Sequence, residues 1–354
     1  MIRSWIKTKA AGALSRTGID KAVGSFAGWT AGAVVLGYHR VVEDFQASAE
    51  TSIPSMLISR QMLERHIDWL GRRFRFVSLD EVGARLDGSD SSADPVVALT
   101  FDDGYRDFYE LALPVLKHKG VPAAVFVVTD LVGTTQVQLH DKLYLLLARL
   151  QGKYQQLLTS LGIRVPGTPY HATRALLEGI SHQGLQRVTA ALESESAIPD
   201  RVFEPFHSMT WEMVDSVHRA GMTVGSHTRT HVLMANESPQ RMADEAGNSR
   251  RELERRLGTG VRHFAYPSGQ FNGPAVTAVA DAGYQFAYTV CNHRDAAYPR
   301  LTVPRTLLWE NSCRDFRGSF SGSIMSCQVH RAFGMLGGCK QRHAAGEEMR
   351  SAQR

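Results

Sequence analysis

Cysteine is scarce in this sequence. Four thiols, Cys291, Cys313, Cys327 and Cys339, occur in 354 residues, and none is spaced as CxxC. That excludes a disulfide framework and a thiolate zinc knuckle, and it fits free thiols in a reducing compartment. Long apolar runs are also missing. Lys7, Lys9, Arg16, Asp20 and Lys21 interrupt the N-terminal stretch, so no span of about 20 apolar residues is available to cross a membrane. No compact apolar segment precedes a cleavage site either. The expectation is a cytoplasmic chain. Its Trp5–Val23 stretch admits two readings, an amphipathic helix in weak contact with a membrane surface or one packed on the domain, and packing is preferred. Nucleic-acid-binding motifs are absent as well. The net charge of +5 resides at the ends, with five basic against one acidic residue in 1–21 and seven against three in 313–354. The body between them is net negative, which argues against a nucleic-acid partner.

What is present is a run of short β-rich segments alternating with helical ones. The strand candidates are Ala33–His39, Phe74–Val77, Val96–Phe101, Ala123–Val128, Met222–His227, His263–Tyr266, Gln285–Val290 and Leu301–Val303. Glycines at 120, 221, 258 and 283 stop the intervening helices. Such alternation belongs to a parallel α/β fold, and by itself it leaves a barrel and a doubly wound sheet open. The interval between the fourth and fifth strands is too wide for one crossover. Leucine-rich helical periods at about 140–205 read there as an α-helical insertion. The expected organisation is a basic helical extension over 1–30, a catalytic body over 31–311, and a flexible basic tail over 312–354. In the tail apolar periodicity stops, and most of 318–354 is expected to be disordered.

Two motifs carry chemistry. In Thr100-Phe101-Asp102-Asp103-Gly104-Tyr105 an apolar strand runs directly into adjacent carboxylates. Adjacent acids repel, and a metal relieves this by binding one and leaving the other to accept protons. The plain alternative is an Asp-Gly turn. In Ser226-His227-Thr228-Arg229-Thr230-His231 two imidazoles stand at i and i+4, a spacing that places them on one side of a helical turn. A pair of surface histidines is the plain alternative there. Taken together, one carboxylate and two imidazoles make a three-ligand site with an open position for water, and the second carboxylate supplies a general base.

TFDDGY and SHTRTH, each at a strand end and in this order, resemble the first two signature motifs of the polysaccharide deacetylase (NodB-homology) family of carbohydrate esterases. Phe264-Ala265-Tyr266-Pro267-Ser268-Gly269 resembles the third, and LGYHRV at 36–41 resembles the start of many members. The likeness spans roughly residues 33–310. It implies a distorted (β/α)7-type barrel acting on N-acetylated glycans, with Asp102 as general base. It implies Asp103, His227 and His231 as ligands of one divalent ion, with Zn2+ favoured over Co2+, Ni2+ or Mn2+. Tyr105, through its backbone N–H, is a candidate second oxyanion donor, while Tyr266, Pro267, His39 and Arg305 are candidates to line the substrate groove. Two departures stand out. The arginine that many members carry in the third motif to orient the catalytic aspartate is replaced by Ala265. The late Leu-x-His motif that supplies the general acid does not align, and His293, beside Asp295, is the first candidate for it, with His39 next. His140 and Asp141, at the mouth of the insertion, are further candidates for sugar contact. The function expected is N-deacetylation in exopolysaccharide synthesis. The alternatives are a small-molecule amidohydrolase or esterase and a non-catalytic polysaccharide-binding relative.

Overall fold

The computed structural model describes residues 2–26, 32–90, 92, 94–333 and 343. In chain order the strands are β1 (Ala33–Tyr38), β2 (Arg40–Val42), β3 (Leu57–Ser59), β4 (Arg75–Phe76), β5 (Val96–Phe101), β6 (Ala123–Val127), β7 (Thr223–Ser226), β8 (His263–Ala265), β9 (Phe286–Thr289), β10 (Val303–Pro304) and β11 (Thr306–Leu307). The main sheet follows β10-β9-β8-β7-β6-β5-β1-β11, every pairing is parallel, and β4 adds a short edge beside β5. β1, β5 and β6 are buried along their whole length, as strands covered on both faces must be.

The barrel closes in an economical way. β10 pairs with β9 through Val303 and Pro304, whereas β11 pairs with β1 through Thr306 and Leu307. One short segment therefore joins both edges of the sheet, and Arg305 is the residue between its two halves. Taken as one stave, β10 and β11 complete seven parallel staves, a distorted (β/α)7 barrel. The strand C-termini carry both acidic and histidine motifs, at the end where barrel sites form.

Between β6 and the helix Trp211–Arg219 that precedes β7, the chain inserts four helices, Leu139–Leu150, Lys153–Ser160, Pro169–Gly179 and His182–Glu195. They enclose their own apolar core, which includes Leu143, Leu146, Tyr154, Leu176, Leu185 and Leu192.

The expectation of a flexible tail beginning at 312 fails for its first part. Glu310–Cys313 forms a 3-10 turn, and Gly322–Val329 is a helix capped by Ser321. Ile324, Met325, Cys327 and Val329 are buried. Met325 and Val329 join the main core, while Ile324 and Cys327 pack with Ala11 of the N-terminal helix Ile2–Thr17. The signal was weak because this helix is buried nearly all round and shows no amphipathic stripe. Of 334–354, residue 343 alone lies within the described residues. Among them, no helix is long and apolar enough to cross a membrane.

Candidate metal centre and catalytic site

β5 delivers Asp102 and Asp103 at its end, and the backbone then turns sharply. Asp103 has φ 71° and Gly104 φ 68°. A Cβ on Gly104 would come within 2.9 Å of Val127 Cγ1, so this glycine is needed for both conformation and space. The histidine motif departs from expectation in form. Residues 227–233 are a loop and not a helical turn. Thr228 (φ 66°) and His231 (φ 60°) take left-handed conformations that non-glycine residues seldom adopt. Glu245 holds this loop, accepting from the Arg229 and Thr230 N–H groups and the Thr230 hydroxyl. The Thr228 hydroxyl accepts from the His231 N–H at 2.9 Å. Strained residues gathered where ligands converge are a mark of a functional site.

The three ligand candidates meet. His227 Nε2 lies 3.5 Å and His231 Nε2 3.1 Å from Asp103 Oδ1. One donor atom from each residue falls within 4.8 Å of the others. Asp103 is 1% exposed, yet among the described residues neither of its oxygens has a well-formed hydrogen bond. A buried carboxylate left this way is costly, and a divalent cation among the three donors removes the cost. Bonds of about 2.0–2.2 Å put neighbouring ligand atoms roughly 3–3.5 Å apart, so the spacing fits a metal. Nδ1–H of His227 donates to the Ala265 carbonyl at 2.8 Å, which fixes the ring and leaves Nε2 for an ion. Burial lowers the His227 pKa to about 4, so the imidazole is neutral, as a ligand must be. Burial pushes Asp103 up, but the adjacent His231 outweighs it and leaves the carboxyl well below the usual range.

Asp102 is gripped by Arg305. Nη1 donates to Oδ1 at 2.7 Å and Nη2 to Oδ2 at 2.8 Å, and Nη1 also donates to the Thr100 hydroxyl at 3.0 Å. Burial raises the Asp102 pKa, yet the Arg305 charge, with His227 and His39, outweighs burial and keeps it below its ordinary value. The role left vacant at Ala265 is thus filled from the barrel seam. Arg305 is 2% exposed, so it does not line a groove. The clue lay in an arginine set between the apolar pairs Val303-Pro304 and Leu307-Leu308, where a buried charge demands a partner.

Other candidates sort by exposure. Tyr105, Tyr266 and Pro267 are buried, which removes their side chains from the groove surface. The Tyr105 hydroxyl instead donates to Asp141 Oδ2 at 2.5 Å and contacts His140 Nε2 at 3.0 Å. His140 and Asp141 are themselves buried, so the mouth of the insertion is tied to the catalytic loop and not open to sugar. The His140 ring lies 5.0 Å from that of His231. Gln138 Nε2 donates to the Asp103 carbonyl at 3.3 Å. Behind them Arg40 pairs with Asp107 at 3.0 Å. His39 is partly open, with a side chain 17% exposed and Nε2 4.0 Å from Asp102 Oδ2. His293 is not brought into the cluster. It is exposed, its ring stacks on His343 at 4.2 Å and lies near Phe271 at 6.0 Å, and among the described residues no hydrogen bond or ion pair joins its ring to the site. Asp295 does not orient it either, since its Oδ1 accepts from the Ala297 and Tyr298 N–H groups.

The parallel barrel thus holds an Asp-His-His set beside an arginine-clamped carboxylate. A family model described as polysaccharide deacetylase matches residues 89–287, more than half of the chain, and the chain belongs to that family. The poly-beta-1,6-N-acetyl-D-glucosamine N-deacetylase of Escherichia coli K12 is 26% identical over 290 residues, 80% of this chain and 38% of that protein. YxkH of Bacillus subtilis, whose name places it in the same family, is 20% identical over 236 residues, 66% of this chain and 59% of that protein. The chain thus spans less than two thirds of the length of these relatives. IcaB from Ammonifex degensii superposes with a TM-score of 0.53 at 20% identity, covering 84% of this chain and 97% of that one. The Streptococcus pyogenes deacetylase PplD gives 0.52 at 21%, covering 79% and 93%. At such identities the likeness shows the fold.

Proposed function

We propose that the protein is a metal-dependent N-deacetylase of N-acetylhexosamine units in a polysaccharide or its oligosaccharide precursor, acting in exopolysaccharide synthesis. The observation that carries this reading is the orphaned Asp103 carboxylate facing His227 and His231 beside the Arg305-clamped Asp102. The E. coli relative, named for poly-beta-1,6-N-acetyl-D-glucosamine, supports the substrate class.

Asp103, His227 and His231 would hold the ion, and their oxygen and nitrogen donors favour Zn2+. When bound, such an ion polarises the acetamide carbonyl and lowers the pKa of water. Asp102 is the general base. Its depressed pKa keeps it ionised at neutral pH, and it takes a proton from water as the oxygen attacks the carbonyl carbon. The guanidinium fixes the carboxylate plane through its two hydrogen bonds. The Tyr105 N–H, which among the described residues meets no backbone acceptor, is the donor for the developing oxyanion. The C–N bond then breaks and the leaving nitrogen takes a proton, giving acetate and an amine. We assign that proton to His39, the histidine at the strand end that is both next to Asp102 and reachable from solvent.

Acetate release from N-acetylglucosamine oligomers, with and without chelator and with zinc, cobalt or nickel restored, tests the proposal. Release that chelation stops and metal restores is expected; release indifferent to chelation would overturn it.

A further inference from the structure

One face of the N-terminal helix is turned to solvent although it is rich in apolar groups. The Ile2–Thr17 helix packs Ala11 and Leu14 on the Gly322–Val329 helix, yet Trp5 and Ile6 are 50% and 54% exposed. The exposed positions Trp5, Ile6, Lys9, Ala10, Ala13, Arg16 and Thr17 fall within one arc of the helix at 3.6 residues per turn, and no acid lies among them. Phe316, 43% exposed, joins this helix through its N–H, which donates to the Thr8 hydroxyl at 3.2 Å. Lys9 lies over the Trp5 ring at 5.7 Å and Arg317 over the Phe316 ring at 5.2 Å. Among the described residues Lys9, Arg16 and Arg317 have no carboxylate partner.

We infer that this face docks on an anionic lipid bilayer surface. An exposed tryptophan and aliphatic side chain interleaved with unpaired cations match the chemistry of the lipid interface. There the rings and Ile6 enter the headgroup layer and the ammonium and guanidinium groups meet lipid phosphates. A second copy of the chain is a poorer occupant, because a two-fold contact would set the same cations against one another. An attachment made by these surface side chains is peripheral and salt-sensitive. Ser312 and Phe316 follow the last barrel strand, and the Lys7 ammonium donates to the Ser312 carbonyl. Docking therefore holds the barrel by the segment just beyond its closure.

The test is co-sedimentation of the full chain with phosphatidylcholine vesicles containing or lacking phosphatidylglycerol, at low and high salt. Binding to the anionic vesicles alone, weakened by salt, is expected. Trp5→Ser/Ile6→Ser/Phe316→Ser and Lys9→Gln/Arg16→Gln should each reduce the bound fraction about tenfold. Melting temperature and acetate release from a soluble oligomer should stay unchanged in both. Three results would each overturn the inference: wild-type protein left in the supernatant at low salt, undiminished binding by both variants, or a wild-type dimer by light scattering that the first variant dissolves.

Discussion

Arg305 holds Asp102 through two parallel hydrogen bonds of 2.7 and 2.8 Å, although 203 residues separate them in sequence. The pair is buried, and its geometry is the bidentate fork that arginine and not lysine provides. Arg305→Met should leave metal content intact and lower kcat. It should also move the acidic limb of the kcat/KM profile to higher pH. The sign follows from removing the cation: burial is then opposed less, the Asp102 pKa rises, and the base is protonated at pH values where the wild type still works. An unmoved acidic limb would show that Arg305 does not set the ionisation of Asp102.

The two neighbouring carboxylates should separate by readout. Asp103→Asn, His227→Ala and His231→Ala are each expected to lose most bound metal and nearly all activity, since three ligands leave no redundancy. Asp102→Asn should keep the metal and lose roughly 10²–10⁴ in turnover, the usual share of a general base. Elemental analysis beside acetate release checks both, and a metal-free Asp102→Asn would reverse the assignment.

For the proton donor, His39→Ala should depress turnover of an acetamide far more than that of an activated acetyl ester, whose leaving group needs little protonation. His293→Ala should be near wild type on both, because its ring is exposed and apart from the cluster. A selective amide defect in His293→Ala would restore the late histidine to the mechanism.

Truncation after Arg317 removes four buried apolar side chains, Ile324, Met325, Cys327 and Val329. At about 1.5–3 kcal/mol for each large one, the loss should lower the melting temperature by many degrees or abolish soluble expression. Met325→Ala alone should cost about 2–5 kcal/mol. A truncated chain that melts like the wild type would mean the helix contributes nothing to the core.

His66 gives the fold a dependence on pH. It is fully buried, its Nδ1 meets the Tyr38 hydroxyl at 3.2 Å, and burial lowers its pKa to about 3. In the unfolded chain a histidine titrates near 6.5. Its contribution is therefore complete above that value and falls by roughly 1.4 kcal/mol per pH unit as pH drops toward 3. Urea unfolding at pH 7 and pH 5 should show His66→Gln losing about 2 kcal/mol less than wild type over that interval; equal losses would place the sensitivity elsewhere.

The chemistry of the site was legible because the ligand and base types are local in sequence. Asp102 and Asp103 are adjacent and end an apolar strand, and His227 and His231 lie on one loop. Each motif alone has a plain alternative, an Asp-Gly turn or a pair of surface histidines, and it was their combination at two strand ends that nominated all four. What sequence could not decide was everything set by closure of the barrel. Arg305 reaches Asp102 because β10 and β11 bond to opposite edges of the sheet and leave one residue to cross the seam. No local period records that crossing. The helix at 322–329 was hidden for a related reason, being buried against two partners at once. The left-handed turns at Thr228 and His231, which convert an expected helical pair into a strained loop, depend on Glu245, on the helix that follows, which accepts from the Arg229 and Thr230 N–H groups. Residue types and their order follow from the chain alone, whereas the partner of a buried charge is chosen by whichever segments the closed sheet brings together.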